Sequence, residues 1–503
     1  MSRVKSLINN SLFSILQQIV VMSVGMILPQ FMLRYYGSET NGLITSITQI
    51  IAYFALIEAG IAGAAVYSLY KPLAENSWSE VSGVVSAAKK TYFKLGWVFI
   101  GLTGVFAFIY PLYVITENLS KIEVGILVLV LGTAGALEFF TLAKYRVLLT
   151  ASQRSFVISI ATMIGTLTNA IIIITFSLFQ VNIVLVKAIA VISLLLRSLI
   201  LSIYTRRKFT KVNYKSKPNM QALSKRWDAG YVQILFSVQS GAPIIIATIF
   251  TSLEMVSVFS IYNMVFAALL SLMSVLVTGS YASIGDLIVR NKPEQLKKVY
   301  SELQTAFYCV IAVVYAITLV MINSFVKVYV SNLGDAYIYD RALLGILFVL
   351  SSLFQNLQTP QGILSTAAGM YKEVKVQSTI HSLIIIIGGC IGVYFFELEG
   401  ILIVTLIANI YRFVYYTFFV PKYITKDNYR FTFWQLIKVL VIIGVIYYIN
   451  ILVDFEPINF IQWTIMASIT GMGAIILTLL IAIFFERSNL KSILQRLKST
   501  LLK

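Results

Sequence analysis

Residues 12–33, LFSILQQIVVMSVGMILPQFML, form an apolar run that decides the fold of this chain. The run holds 22 residues and no ionisable side chain. A helix rises 1.5 Å per residue, so one of this length spans about 33 Å, close to the ~30 Å hydrocarbon core of a bilayer. In lipid every backbone polar group must be bonded internally, so only helices and closed barrels span it, and a run this long favours a helix. It is also too long for the apolar part of a signal peptide, and we expect a first membrane span at residues 8–33.

The same pattern continues along all 503 residues, of which 58% are hydrophobic and 12% charged. A soluble domain has about 25% charged residues, so this composition predicts an all-α integral membrane protein. The fourteen predicted transmembrane helices are residues 8–33, 41–70, 89–112, 122–149, 155–178, 183–204, 224–250, 254–289, 301–323, 341–365, 372–396, 399–424, 433–452 and 459–485.

Positive charge is distributed unevenly between the two ends of these spans. Of the 39 lysines and arginines, 32 lie on the side that holds both termini, five lie on the other side, and Arg197 and Arg412 lie inside spans. Cytoplasmic loops carry such an excess, so we predict a multi-pass protein of the cytoplasmic membrane with both termini in the cytoplasm. Anionic headgroups at that surface account for the net charge of +18, and no nucleic-acid partner is needed to explain it.

Side chains suited to catalysis or metal binding are sparse. The chain has one histidine, and its two cysteines, Cys309 and Cys390, have no neighbour at metal-ligand or redox spacing. No Walker A sequence or glycine-rich nucleotide loop occurs, and no segment between spans exceeds about 25 residues. We therefore expect a protein that is not an enzyme and that uses neither a metal nor a cofactor.

The chain resembles itself at an offset of 214 residues. At this offset Pro29 in span 1 aligns with Pro243 in span 7, and Ser46 aligns with Ser260. With one more residue inserted, Arg197 in span 6 aligns with Arg412 in span 12. Matches at corresponding places in successive spans indicate two pseudo-symmetric six-helix lobes that run parallel to each other.

The repeat divides the chain into four predicted parts. Residues 1–205 form an N-terminal six-helix lobe, 206–221 a basic cytoplasmic linker, 222–425 a C-terminal six-helix lobe, and 426–503 two extra transmembrane helices and a cytoplasmic tail. Two such lobes enclose a cavity near the bilayer midplane and expose it alternately to each side, which predicts a transporter. The equivalent prolines, Pro29 and Pro243, either kink their helices for packing or act as hinges in this motion.

Cationic side chains within the spans are candidates for binding an anionic cargo. Arginine binds phosphate groups bidentately and stays charged, so Arg197 and Arg412, one from each lobe, would suit a lipid-linked sugar pyrophosphate. Lys144 and Arg146, nearer the cytoplasmic end of span 4, are further candidates, although such long side chains also reach the headgroups. The alternative role for these cations is to pair with carboxylates and hold helices together.

Two carboxylates lie at similar depth in the predicted membrane, Glu58 in span 2 and Glu138 in span 4. Ionisable residues at this depth are costly and usually face a cavity or a partner. A medium of low dielectric favours the neutral form of a carboxyl group, so either residue is a candidate for coupling transport to a proton or sodium gradient. The alternative is a structural pair with the arginines.

Three stretches of the first lobe together carry a family resemblance. They are RYYGSETNGL at residues 34–43, LIEAGI at 56–61 and YSLYKPLA at 67–74. They resemble the Wzx-type oligosaccharide flippases, which are polysaccharide transporters of the multidrug/oligosaccharidyl-lipid/polysaccharide (MOP) superfamily, and the six-helix lobes match that superfamily over about residues 1–425.

The resemblance implies a flippase that moves an undecaprenyl-pyrophosphate-linked oligosaccharide across the membrane by alternating access, for capsule, exopolysaccharide or O-antigen biosynthesis. It implies that membrane lipids, an ion gradient and a polysaccharide polymerase complex are partners, and that Arg34 has a structural or gate-like role at a turn. Fourteen helices instead of twelve resemble the lipid II flippases of the same superfamily. A lipid II flippase is therefore one alternative, and a MATE-like cation-coupled multidrug antiporter is another; a membrane-embedded glycosyl-transfer enzyme and a lipid scramblase are more distant ones.

Overall fold

The structure is a computed structural model and describes residues 3–223, 226–278, 284–285, 287–288, 290, 293–453 and 455–501. Within these residues the chain consists of helices and connecting loops, without a β-strand. Residues 279–283, 286 and 289 of the predicted span 254–289 lie outside the described residues.

Seventeen α-helices are described, together with shorter 3₁₀ and π-helical turns. The helices are α1 (Arg3–Phe54), α2 (Ile61–Ala74), α3 (Trp78–Tyr113), α4 (Lys121–Leu137), α5 (Ala143–Ala151), α6 (Ser155–Leu178), α7 (Ile183–Lys208), α8 (Arg226–Phe250), α9 (Leu253–Thr278), α10 (Pro293–Val330), α11 (Ala342–Leu357), α12 (Thr359–Ala367), α13 (Tyr371–Leu383), α14 (Gly389–Val420), α15 (Arg430–Val453), α16 (Phe460–Phe485) and α17 (Arg487–Leu501). The 3₁₀ turns are Ala55–Glu58, Met220–Leu223 and Ala336–Tyr339, and the π-helical turns are Glu138–Leu142, Ile384–Gly388 and Pro421–Thr425.

In the described part of the chain, twelve helical stretches are long and apolar enough to cross a membrane. Two of them, Ile8–Glu58 and Lys372–Thr425, have 51 and 54 residues, which is about 75–80 Å of helix and too long for one crossing. Each is broken by non-helical residues, at Gly37 in the first and at Phe396 and Glu397 in the second. Counting each as two crossings gives the fourteen predicted spans and confirms an all-α, multi-pass membrane fold.

Glycines explain the first break and the packing that follows it. Gly37 has φ 78° and ψ 171°, a backbone conformation that is essentially restricted to glycine. A methyl group on Gly42 would lie 1.7 Å from the backbone oxygen of Leu253, so α1 and α9 are in backbone contact there. The Asn41 side chain donates to Ser257 Oγ at 2.8 Å beside this contact. The spacing of the two glycines in residues 34–43 therefore has a structural cause.

The second break is stabilised by one arginine and two carboxylates. Arg341 Nη2 lies 3.1 Å from Glu397 Oε2, and Arg341 Nη1 lies 3.3 Å from Glu399 Oε2. On the two sides of the break, Gly392 and Gly400 pack so closely that a methyl group on Gly400 would lie 1.9 Å from the Gly392 oxygen. The Phe396–Glu397 break thus separates two crossings that pack against each other.

Equivalent elements of the two repeats share local features. The helix of span 4 is interrupted by the π-helical turn Glu138–Leu142, and its counterpart is interrupted at Gln358, between α11 and α12. The structure places Pro29 inside α1 and Pro243 inside α8. The residue of α1 with non-helical backbone angles is Gly37, not Pro29. Hinge roles for the two prolines stay a prediction.

The chain divides into two compact units. The first unit holds Met1–Thr248 and Ser252–Ser257, and the second holds Ile249–Thr251 and Val258–Lys503. Most of α8 thus belongs to the first unit, and the boundaries predicted from the repeat, at 205, 221 and 425, stay a prediction. The predicted span 41–70 is not one helix, because α1 ends at Phe54 and α2 begins at Ile61.

Candidate functional site

Glu58 lies where this predicted second span is broken. A 3₁₀ turn, Ala55–Glu58, ends α1 and is followed by Gly60 with φ 78°. The Gly60 N–H donates to Gln233 Oε1 at 3.2 Å, so a side chain satisfies a backbone group that the break releases. The carboxylate of Glu58 is half-buried and makes no hydrogen bond or ion pair with the residues that the structure describes. It is within electrostatic range of Glu138 and Arg146.

The π-helical turn in the fourth span places Glu138 and Arg146 on one face. In a regular α-helix, side chains eight residues apart point about 80° away from each other. A π-helical turn contains one extra residue, which reduces this difference to about 20°. Glu138 is the first residue of the turn, and Arg146 Nη1 bonds Glu138 Oε1 across it. The pair is partly exposed within the first unit.

Arg197 lies on α7 and approaches the same pair. Its aliphatic stem passes over Gly165, where a methyl group would lie 2.3 Å from the Arg197 Cγ. Arg197 Nη2 donates to Thr162 Oγ1 at 3.5 Å, a long hydrogen bond that leaves most of the guanidinium donors available. Glu138 and Arg146 are within its electrostatic range. Four residues therefore form an intramembrane charge cluster in the first unit: Glu58, Glu138, Arg146 and Arg197.

Arg412, the repeat partner of Arg197, lies in the second unit. Arg412 Nη2 donates to Ser378 Oγ at 3.2 Å. Each of the two arginines thus contacts a hydroxyl group on the preceding helix, 35 residues earlier for Arg197 and 34 for Arg412. Buried His381 also lies within electrostatic range of Arg412 and shares a hydrogen bond with Asn409. The repeat is therefore visible in side-chain contacts as well as in helix positions.

The structure places Lys144 in a different environment from Arg146. Lys144 Nζ donates to the Phe140 backbone oxygen at 3.3 Å and lies 5.0 Å from the centre of the Tyr145 ring. It lines a cavity together with Lys89 and Arg206 and without members of the charge cluster. A role for Lys144 in binding the transported cargo stays a prediction.

A buried ion pair in the second unit was not anticipated from the sequence. Lys438 Nζ lies 2.9 Å from Glu486 Oε2, and the two side chains are 0% and 3% exposed. The sequence places Lys438 near the start of span 13 and Glu486 just after span 14, positions that usually face headgroups. Their opposite charges at matching depth were the available signal.

Known proteins resemble this chain in structure, whereas comparisons of its sequence find no match. No protein-family model matches the chain, and no curated protein sequence matches it. The lipid II flippase MurJ, in an inward closed conformation, superposes with a TM-score of 0.72 at 16% identity and covers 95% of this chain and 99% of its own. An inward-facing multidrug resistance MATE family transporter of the MOP superfamily gives 0.60 at 12% identity, with coverage of 84% and 95%. A MOP superfamily transporter from Pyrococcus furiosus gives 0.58 at 13%, with 87% and 96%.

Identities this low establish the fold and nothing finer. The all-α membrane fold that the sequence predicts is therefore shared with the MurJ structure over 95% of this chain, and with the two MOP transporters over 84% and 87% of it.

Proposed function

We propose that this protein is a flippase that translocates an undecaprenyl-pyrophosphate-linked oligosaccharide across the cytoplasmic membrane by alternating access. The observation that carries the proposal is the environment of Arg197, a cation inside the spans whose guanidinium makes one long hydrogen bond to the described residues. The fold shared with a lipid II flippase supports it. The charge bias of the sequence supports a cytoplasmic position for both termini.

The environment of Arg197 suits binding of a phosphate group better than binding of a cationic cargo. Guanidinium groups form parallel hydrogen bonds to phosphate oxygens and cannot lose their charge in a protein. The carboxylate within electrostatic range of Arg197, Glu138, is already bonded to Arg146. A pyrophosphate would supply acceptors for the remaining donors of Arg197. Arg412, its repeat partner, is the second candidate that the sequence predicts for binding an anionic cargo.

Glu58 is our candidate for ion coupling. It stands at a helix break, and its carboxylate has no bonded partner among the residues that the structure describes. Such a group is available to bind a proton or a sodium ion. We therefore propose that the gradient acts through Glu58, while Glu138 mainly holds Arg146.

A lipid II flippase is the second candidate function. The MurJ structure covers 95% of this chain, whereas the MATE structure covers 84%. Because the fold of a lipid II flippase matches nearly the whole chain, we take lipid II as the second candidate cargo. Lipid II and an undecaprenyl-pyrophosphate oligosaccharide share the anionic group that the arginines would bind, and they differ in their sugars.

The test is lipid flipping in proteoliposomes. Purified protein is reconstituted with a fluorescent lipid-pyrophosphate oligosaccharide, and wild type is compared with Arg197→Gln and Arg412→Gln. Loss of a charged hydrogen bond to phosphate in the rate-limiting state should slow flipping about tenfold or more. Arg207→Gln, an exposed cation on the same helix as Arg197, is the matched control and should flip at the wild-type rate. Size exclusion and thermal melting verify that each variant folds.

Each outcome has a definite meaning. If wild type flips the oligosaccharide lipid and well-folded Arg197→Gln flips it about tenfold more slowly or not at all, the proposal stands. If wild type flips lipid II and not the oligosaccharide lipid, the second candidate replaces it. If wild type moves neither lipid but exports organic cations, the antiporter function is correct and the proposal fails.

A further inference from the structure

A second cationic site lies at the end of the first unit where the linker leaves α7. Its cavity has a volume of about 400 Å³, within the usual size range of small-ligand sites. Four cations line it: Lys89 on α3, Lys144 on α5, Arg206 on α7 and Lys215 in the linker. We call this cavity the linker pocket.

The positive charge of the linker pocket is not compensated within the described chain. Its lining includes no aspartate or glutamate, and none of the four cations forms an ion pair with a described residue. Lys144 is within electrostatic range of both Lys89 and Arg206. Like charges held close together repel, so this arrangement is stabilised when an anion enters.

The linker wall of the pocket is folded against α3. Asn213 N–H donates to Ser82 Oγ at 2.9 Å, and Asn219 N–H donates to the Gly83 oxygen at 3.0 Å. Ser86 Oγ lies 3.0 Å from Ser216 Oγ and donates to the Asn213 oxygen at 3.3 Å. A basic segment that served only as a topology signal would not require these bonds. They hold Lys215 in place as part of a cavity wall.

Hydrogen bonds at the floor of the linker pocket orient Lys89 and Lys144 and leave further N–H donors on each ammonium group available. Lys89 Nζ donates to the Tyr214 oxygen at 3.4 Å, and Lys144 Nζ donates to the Phe140 oxygen at 3.3 Å. Each ammonium group has three donors, so two remain on each lysine. The Tyr145 and Tyr214 rings meet edge to face at 5.8 Å and separate this polar floor from the core.

We propose that the linker pocket binds a phosphate group, presented by an anionic lipid headgroup at the membrane surface or by a soluble phosphate compound. Several lysine and arginine donors converge without a carboxylate, which matches the charge and the multiple acceptors of a phosphate. The lining contains no member of the charge cluster. We therefore assign this phosphate to a second ligand, distinct from the cargo proposed for Arg197, an assignment that rests on the proposed function. Its binding fastens the linker to α3, α5 and α7.

The experiment uses the full-length protein and two phosphate probes. One arm titrates inorganic pyrophosphate, in neutral detergent, into full-length protein in which every variant also carries Arg197→Gln, so that the proposed cargo site does not contribute. The other arm compares thermal stability in nanodiscs of phosphatidylglycerol with that in nanodiscs of phosphatidylcholine. The pocket variant is Lys144→Gln/Arg206→Gln. The control is Arg207→Gln/Lys208→Gln, which removes the same charge from exposed positions at the end of α7 that do not line the pocket.

We expect the pocket variant to bind pyrophosphate at least about tenfold more weakly, or to lose the stabilisation by phosphatidylglycerol, while the control retains both. If the pocket variant binds pyrophosphate more weakly, a soluble phosphate compound is sufficient to occupy the linker pocket. If the pocket variant differs from wild type only in the stabilisation by phosphatidylglycerol nanodiscs, the ligand is a lipid headgroup. If the pocket variant does not fold, Lys89→Gln/Lys215→Gln replaces it. Equal losses in pocket and control variants would show diffuse surface attraction, and that result, or an absence of binding to both probes in wild type, overturns the proposal.

Discussion

Replacing Lys438 by methionine should strongly destabilise the second unit. In the structure Lys438 Nζ lies 3.0 and 2.9 Å from the two oxygens of Glu486, and both side chains are almost fully buried. After Lys438→Met the carboxylate retains one donor, Gln435 Nε2. Breaking a buried pair by removing one partner costs about 3–5 kcal/mol, because the other charge stays buried without compensation. The pair joins α15 to the end of α16, so the loss should appear first as weaker docking of the two C-terminal spans.

The double variant Lys438→Met/Glu486→Met makes the prediction specific. Replacement of a whole buried pair by apolar residues is often neutral or stabilising, and Gln435 retains Thr305 Oγ1 as an acceptor at 3.2 Å. We expect the double variant to lie within about 1–2 kcal/mol of wild type. The assay is reversible unfolding by SDS in mixed micelles. A single variant within about 1 kcal/mol of wild type, or a double variant no more stable than the single one, would refute the reasoning.

Three further substitutions test the packing of the first unit by thermal melting in detergent. Gly42→Ala places a methyl group 1.7 Å from the Leu253 oxygen and should cost about 1–3 kcal/mol of folding stability. The control is Gly25→Ala on the same helix, whose methyl group meets no atom within 4 Å and which should be neutral or stabilising. Equal effects of the two substitutions would contradict the close contact. Gly37→Ala should cost about 1–3 kcal/mol because of its positive φ, and an unchanged melting temperature would argue against the kink. Tyr110→Phe removes the hydroxyl that lies 2.6 Å from buried Ser46 Oγ, the only hydrogen-bond partner of Ser46 Oγ among the described residues. It should cost about 1–3 kcal/mol, a loss that Ser46→Ala in the same chain should partly restore.

The sequence predicts the helices well and the breaks within them poorly. Apolar length and charge bias suffice to locate fourteen spans, because lipid solvation acts on whole helices. The interruption after Phe54 carries no comparable signal, since residues 41–70 read as one apolar run. The break depends on Gly60 and on its bond to Gln233, which is 173 residues away. Tertiary contacts of that kind are not visible in local composition.

The sequence identifies the residues of the charge cluster as candidates but does not predict which of them form an ion pair. Glu58, Glu138 and Arg197 are candidates because of their predicted depth in the membrane, and Arg146 is a further candidate nearer the cytoplasmic end of its span. The structure brings Glu58 and Arg197 each within electrostatic range of the other two residues. The eight-residue spacing of Glu138 and Arg146 gave no reason to pair them, because in a regular helix they would face different directions. The π-helical turn that aligns them is a departure from the helical period, which a pattern based on that period does not detect.

The pairing within this cluster leaves one anion and one cation without an ion-pair partner among the described residues. Glu138 and Arg146 are bonded to each other, so Glu58 is the remaining anion and Arg197 the remaining cation. If Arg197 binds the phosphate cargo and Glu58 binds the coupling ion, the two functions should separate by mutation. We expect Glu58→Gln to retain cargo binding and to lose the dependence of flipping on the ion gradient, whereas Arg197→Gln should lose cargo binding. Flipping by Glu58→Gln that still responds fully to the gradient would remove Glu58 from the coupling mechanism and leave it a structural role at the helix break.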